Sequence, residues 1–108
     1  MSDKELLELA AKAAGIDLSK YEWKGYAYWF FDGEATHFWN PLIDDGDALR
    51  LAVKLNMHIQ CDFDFLECPC VIVYGDWTSQ TEKGNDPYAA TRRAVVLAAA
   101  ETGKVKGE

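Results

Sequence analysis

Hydrophobic positions along the chain follow two different spacings. Near the start, Leu6, Ala10, Ala13 and Ala14 recur at helical intervals, so Asp3 to Ala14 is predicted to be an amphipathic helix. Ser2 and Glu5 have the spacing of a capping box, Glu8 and Lys12 form an i,i+4 pair, and Gly15 is placed to stop the helix. The period then shortens to two. Tyr26 to Phe31 and Glu34 to Trp39 flank Asp32-Gly33, a strong hairpin signal. A two-residue turn there sets Phe30 opposite Ala35, Tyr28 opposite His37 and Tyr26 opposite Trp39, all six on one face. Ala27, Trp29, Phe31, Thr36 and Phe38 share the other. Both faces are apolar or aromatic, which predicts a sheet covered on both sides.

Helical spacing returns from Gly46 to Leu55, with Asp44 or Asp45 as the cap and Asn56 as a left-handed stop. Its polar residues Asp47, Arg50 and Lys54 form one narrow stripe, so this helix is expected to be well buried. Met57, Ile59, Cys61, Phe63 and Phe65 then alternate with His58, Gln60, Asp62 and Asp64, the pattern of a strand with one dry and one wet face. Cys70 to Tyr74 follows the Leu66 to Pro69 turn as a short β-branched strand, and Gly75 to Asn85 reads as polar loop. Asp86 caps a last helix with Pro87 at its first position, where a missing N–H costs nothing. Ala90, Ala94, Leu97 and Ala98 give its buried stripe, Gly103 its end, and residues 104–108 a frayed terminus.

The order helix, hairpin, helix, hairpin, helix predicts a single α/β domain spanning residues 1–108. Its expected form is a compact α-β-α sandwich, with three helices covering one four-stranded, mainly antiparallel sheet of two hairpins. A two-layer α+β arrangement is the alternative.

Charge narrows the function. With 11 basic and 18 acidic residues the formal charge is −7, which argues against a nucleic-acid partner, since phosphate contacts need a basic face. No apolar run reaches the ~18 residues of a membrane span. Ser2-Asp3-Lys4-Glu5 opens a helix rather than a cationic leader, so a cytoplasmic location with reduced cysteines is expected. His58, Cys61, Cys68 and Cys70 do not suit zinc: His58 and Cys61 point to opposite faces of a strand, and Cys68 and Cys70 lack the usual spacer. Asp44-Asp45-Gly46-Asp47 lacks the alternating ligands of a calcium loop and is explained by helix capping. Neither His37 nor His58 falls in a nucleophile motif, and no phosphate-binding glycine pattern is present, so neither catalysis nor a cofactor is expected.

What remains is a candidate ligand surface. Tyr28, His37 and Trp39 carry polar tips on one hairpin face, Asp76 and Trp77 lie in the long loop, and Arg92 and Arg93 sit near the start of the last helix. Aromatics stack on flat ligands and arginines grip anions in a bidentate way. The plainer alternative packs the aromatics beneath a helix and leaves the arginines solvated or paired with Asp86 and Glu82.

The run Trp39-Asn40-Pro41 through Asp47-Ala48-Leu49-Arg50-Leu51-Ala52, with Asp86-Pro87-Tyr88-Ala89-Ala90-Thr91-Arg92-Arg93-Ala94 downstream, resembles the phage ABA sandwich domain family of small phage and prophage proteins. More loosely it resembles the NinX-type phage proteins. The resemblance spans most of the chain, implies an α-β-α sandwich in a phage-encoded protein of the bacterial cytoplasm, and brings no catalytic residues. The expected function is a non-catalytic binding module for a small, nucleotide-like anionic ligand or for a host protein. The alternative is an accessory phage protein that self-associates as a homo-oligomer.

Overall fold

The computed structural model describes residues 1–32, 35–62, 70–75, 79–83 and 86–106. Among these lie three α-helices and six strands: α1 (Asp3–Ala14), β1 (Tyr21–Trp23), β2 (Tyr28–Asp32), β3 (Ala35–Trp39), α2 (Asp45–Lys54), β4 (His58–Asp62), β5 (Cys70–Tyr74), β6 (Ser79–Lys83) and α3 (Pro87–Lys106). Helix starts follow the capping chemistry. Ser2 Oγ accepts the Glu5 N–H at 3.2 Å, Asp44 Oδ2 accepts the Asp47 N–H at 2.8 Å, and Asp86 Oδ1 accepts from Tyr88 and Ala89. Gly15 and Asn56 take left-handed conformations with φ of 73° and 53°, each just beyond a helix.

The strands form two antiparallel sheets, β1-β2-β3 and β4-β5-β6, rather than one four-stranded sheet. Two additional short strands make the difference. Tyr21–Trp23 is too short to show an alternating pattern, yet it pairs with β2. Ser79–Lys83, expected as part of a polar loop, pairs with β5. It is polar because it is an edge strand, with Ser79, Thr81 and Lys83 exposed and Gln80 and Glu82 half-buried.

The layering also departs from an α-β-α sandwich. α1 and α3 pack on each other, α3 lies beneath β5 and β6, and the first sheet leans on α1 and α2. The helices therefore stand together, and each sheet has its own helical support. All contribute to one core that includes Leu7, Tyr28, Trp39, Val71, Val73 and Val95. α3 is buried on several sides at once, including Ala94, Val95, Val96, Ala98, Ala99 and Ala100, instead of along one stripe. Gly103 does not end it. A Cβ at Gly103 would run into the Leu9 carbonyl, so this glycine allows α1 and α3 to approach closely. The helix continues to Lys106, whose Nζ donates to the Ala13 carbonyl at 3.0 Å; residues 107–108 of the expected frayed terminus lie outside the described residues.

In the first hairpin Ala35 pairs with Asp32 rather than Phe30, a register two residues later than expected. An even shift keeps every side chain on its face. Tyr28 thereby pairs with Trp39 instead of His37, both on the buried face, and Phe30 pairs with His37. The opposite face is only partly covered: Phe31 is 55% exposed and Thr36 is exposed, while Trp29 and Phe38 shelter each other at 5.4 Å and share a hollow with Asp47 and Arg50 of α2. Two-sided coverage is thereby corrected to burial of one face at Tyr28 and Trp39 and partial cover of the other.

α2 departs from expectation in the same sense. Ala48, Leu51 and Ala52 face inward, but Leu49 and Val53 are 62% and 68% exposed. Asp47, read as part of the solvent stripe, is buried. Its Oδ2 accepts the Asn40 N–H at 2.9 Å and its Oδ1 accepts from Arg50 Nη2 at 2.7 Å. Asn40 Oδ1 in turn accepts the Leu42 N–H at 2.8 Å, and Asn40 Nδ2 donates to the Tyr26 carbonyl. The Asn40–Asp47 network thus ties the first sheet to α2, satisfying polar groups that burial would otherwise leave costly. Among the described residues no helix is long and apolar enough to cross a membrane.

Candidate functional site

The residues expected to form a ligand surface fall in different settings. Tyr28 and Trp39 are buried cross-strand partners. The Tyr28 hydroxyl donates to Glu8 Oε1 at 2.9 Å, and burial, then the bond to Glu8 and its charge, pushes the phenol pKa up to about 12. His37 is exposed, with its ring on Phe30 at 4.9 Å and edge-on to Tyr21 at 6.2 Å. Arg92 is largely buried, donating from Nε to the Leu42 carbonyl at 2.9 Å and from Nη1 to Asp45 Oδ1 at 2.6 Å. It fastens the start of α2 to α3. Arg93 turns instead to Glu82 on β6, at 3.9 Å and half exposed. Asp76 and Trp77 lie outside the described residues. Tyr28, His37 and Trp39 thus share one face of the first sheet, whereas the two arginines are drawn to different neighbours and do not act as a pair.

The cysteines are dispersed as well. Cys70 is half-buried, Cys68 lies outside the described residues, and Cys61 is exposed rather than in the core. The His58 ring packs on Tyr74 at 5.6 Å on the sheet's outer side, away from Cys61. Among the described residues no three His, Cys, Asp or Glu side chains converge in a way that could hold a metal ion.

Cys61 is exposed because of where the helices run. α3 supports β5 and β6, and β4 stands beyond it, over a gap toward α2. That gap is an open groove of about 590 Å³, within the size range of ligand sites. Its walls are Ala48 and Leu49 from α2, Ile59 and Cys61 from β4, and Tyr88 and Val95 from α3. Its charged lining among the described residues is Asp45 and Arg92, which neutralise each other. Tyr88 is 69% exposed, and Val53, one turn on from Leu49, extends the apolar strip along α2.

Sequence reasoning missed this groove by confining the solvent side of α2 to Asp47, Arg50 and Lys54: Arg50 and Lys54 are exposed as expected, but Leu49 and Val53 are exposed too and Asp47 is buried. The available signal was Leu49 and Val53 at i,i+4 together with an Asp47 spaced seven residues from Asn40. Once Asp47 is claimed by a buried network, the opposite face of α2 must carry the leucine and valine outward.

Among known proteins, no family, no curated protein and no solved structure matches this chain.

Proposed function

We propose that this chain is a non-catalytic binding module that takes an apolar segment of another protein into the groove between α2, α3 and β4. The observation that carries this reading is a concave, almost wholly apolar site whose large side chains, Leu49 and Tyr88, stand in water. Covering such a side chain is worth about 1.5–3 kcal/mol, and the concavity gives a partner something to fill. A protein segment suits the site better than a nucleotide-like anion. The arginines that would grip an anion are engaged with Asp45, the Leu42 carbonyl and Glu82. Both histidines rest on aromatic rings, which supports a role without catalysis. The resemblance of Trp39–Ala52 and Asp86–Ala94 to small phage proteins supports a phage-encoded module whose partner is a host protein in the bacterial cytoplasm.

A second reading, self-association, is favoured by the exposed Leu49–Val53 strip, which can meet its own copy across a two-fold axis. Titration with the apolar dye anilinonaphthalene sulfonate, beside light scattering, tests both. About one dye per chain is expected, with uptake lost in Leu49→Glu while the melting temperature moves by no more than about 4 °C. Uptake unchanged by Leu49→Glu removes the groove as the site. A dimer dispersed by the same substitution replaces the foreign partner with a second copy.

A further inference from the structure

We infer that the partner enters this groove as an added β-strand on the open edge of β4, and that it is an extended segment of a basic protein alternating apolar and cationic residues. The inference rests on the groove being the binding site, and four observations specify the occupant. First, β4 is an edge of the β4-β5-β6 sheet, and among the described residues no strand pairs with its outer side. Every second residue of an edge strand points its N–H and C=O outward, a template for another chain.

Second, the two edges of this sheet are treated differently. β6 is a polar strand, Ser79-Gln80-Thr81-Glu82-Lys83, of the kind that discourages pairing. β4, His58-Ile59-Gln60-Cys61-Asp62, carries no Lys or Pro and borders the groove through Ile59 and Cys61.

Third, the alternation fits. Ile59 and Cys61 face the groove, while His58 packs with Tyr74 on the far side. A strand laid beside β4 continues that alternation, so every second side chain drops between Leu49 and Tyr88 and the rest stay in solvent. β4 is 5 residues long, about 17 Å, enough to place two or three side chains in the groove.

Fourth, the charge fits. Asp45 is cancelled by Arg92, but Asp86 is exposed beside Pro87 and Tyr88, and the whole chain carries −7. The solvent-facing residues of the occupant are therefore cationic, which also speeds encounter.

The test uses the full chain and the probe peptide acetyl-Lys-Val-Lys-Ile-Lys-Val-Lys-amide, with three relatives. One is a shuffled peptide with its apolar residues contiguous. The other two are N-methylated on alternate backbone amides, one for each alternate set. The parent peptide is expected to bind and to slow hydrogen exchange across residues 58–62. Methylating one set is expected to weaken binding by about tenfold or more, and methylating the other by no more than about twofold, because only one set faces β4. Leu49→Glu is expected to abolish binding of the parent. If both methylated peptides bind like the parent, strand addition is wrong while the groove stands. Equal binding of the shuffled peptide overturns the inference in favour of charge alone. If the parent does not bind while the dye still fills the groove, only the strand inference falls; if neither binds, the groove falls with it. A dimer whose residues 58–62 are protected without peptide makes the occupant a second copy of β4 and overturns the basic partner.

Discussion

The two sheets leave apolar surface in water for different reasons. The first sheet has too much of it by composition. Its pairs Tyr21–Phe30, Trp23–Tyr28 and Trp29–Phe38 stack at 5.3, 4.9 and 5.4 Å, each worth about 0.5–1.5 kcal/mol beyond area burial. The first two pairs pack against the core, the third shelters itself on the partly covered outer face, and Lys24 Nζ lies 5.7 Å from the exposed Phe31 ring centroid. This crowding even leaves Trp29 Nε1 buried with no hydrogen-bond partner among the described residues. The second sheet has an ordinary aliphatic inner face, with Val71 and Val73 fully buried against α3. Its surplus comes from geometry, because β4 reaches past the helix that supports its neighbours. Ring-on-ring contact yields a self-shielded surface that meets charged residues of α2, whereas the overhang yields an open groove with a mainly apolar lining. Both sheets border a hollow, but that of the first is lined by Asp44, Asp47 and Arg50 beside its rings, whereas that of the second is mainly apolar and better suits the apolar partner proposed for it.

The largest perturbation should come from the seam that joins the two halves. Gly103→Ala places a methyl group against the Leu9 backbone, which cannot rotate away, so α1 and α3 must separate. A loss of about 3 kcal/mol or more is expected in urea denaturation, with the sheets melting as separate steps if the seam is what couples them. A normal, single transition would show that the seam tolerates the insertion.

A paired substitution tests the contrast between the sheets directly. Val73→Ala removes a fully buried side chain and should cost about 2 kcal/mol, whereas Phe31→Ala, though a larger truncation, should stay within about 1 kcal/mol. Equal losses would mean that the outer aromatic face is packed as tightly as the valine core.

The smallest effect sits at the joint between the first sheet and α1. Tyr28→Phe removes the hydroxyl that Glu8 accepts and should cost about 1 kcal/mol at neutral pH. Its pH signature is more telling. The Tyr28 phenol ionises at about 12 in the folded chain against 10.0 when unfolded, so its contribution is complete below pH 10. Above that the unfolded state ionises first, and stability drains away as pH rises through about 12. The phenylalanine variant should lose less stability than the parent between those limits; parallel curves would show that Tyr28 does not titrate differently on folding.

Local chemistry was legible in the sequence. Caps at Ser2, Asp44 and Asp86 and stops at Gly15 and Asn56 need only a few neighbouring residues, and the structure has each one. Edge strands were not legible, because Tyr21–Trp23 is too short and Ser79–Lys83 too polar to differ from loop. Joining the hairpins into one sheet failed for the same reason, since each was already completed by a strand without a pattern. Gly103 illustrates a second blind spot: a glycine in a helix marks an end or a close approach, and only the neighbouring helix decides which. Of the polar-tipped aromatics expected on one face, Tyr28, His37 and Trp39 share it, whereas Tyr26 lies outside the strands against the Trp29 ring. The groove escaped notice because it depends on the helix positions beneath the second sheet, a long-range property that no local spacing encodes.

The contact between α1 and α3 also constrains how the chain comes to be folded during translation. Lys106 reaches back to the carbonyl of Ala13 across 93 positions, and Leu9 waits for Gly103 in the same way. A ribosome adding 5–20 residues per second, a roughly typical pace, therefore holds α1 without its main partner for several seconds. During that interval the first hairpin can form and α2 can be capped, but the apolar face of α1 has little to rest on. Docking of α1 against α3 is therefore a late step in the making of the chain, delayed until Gly103 and Lys106 have left the tunnel.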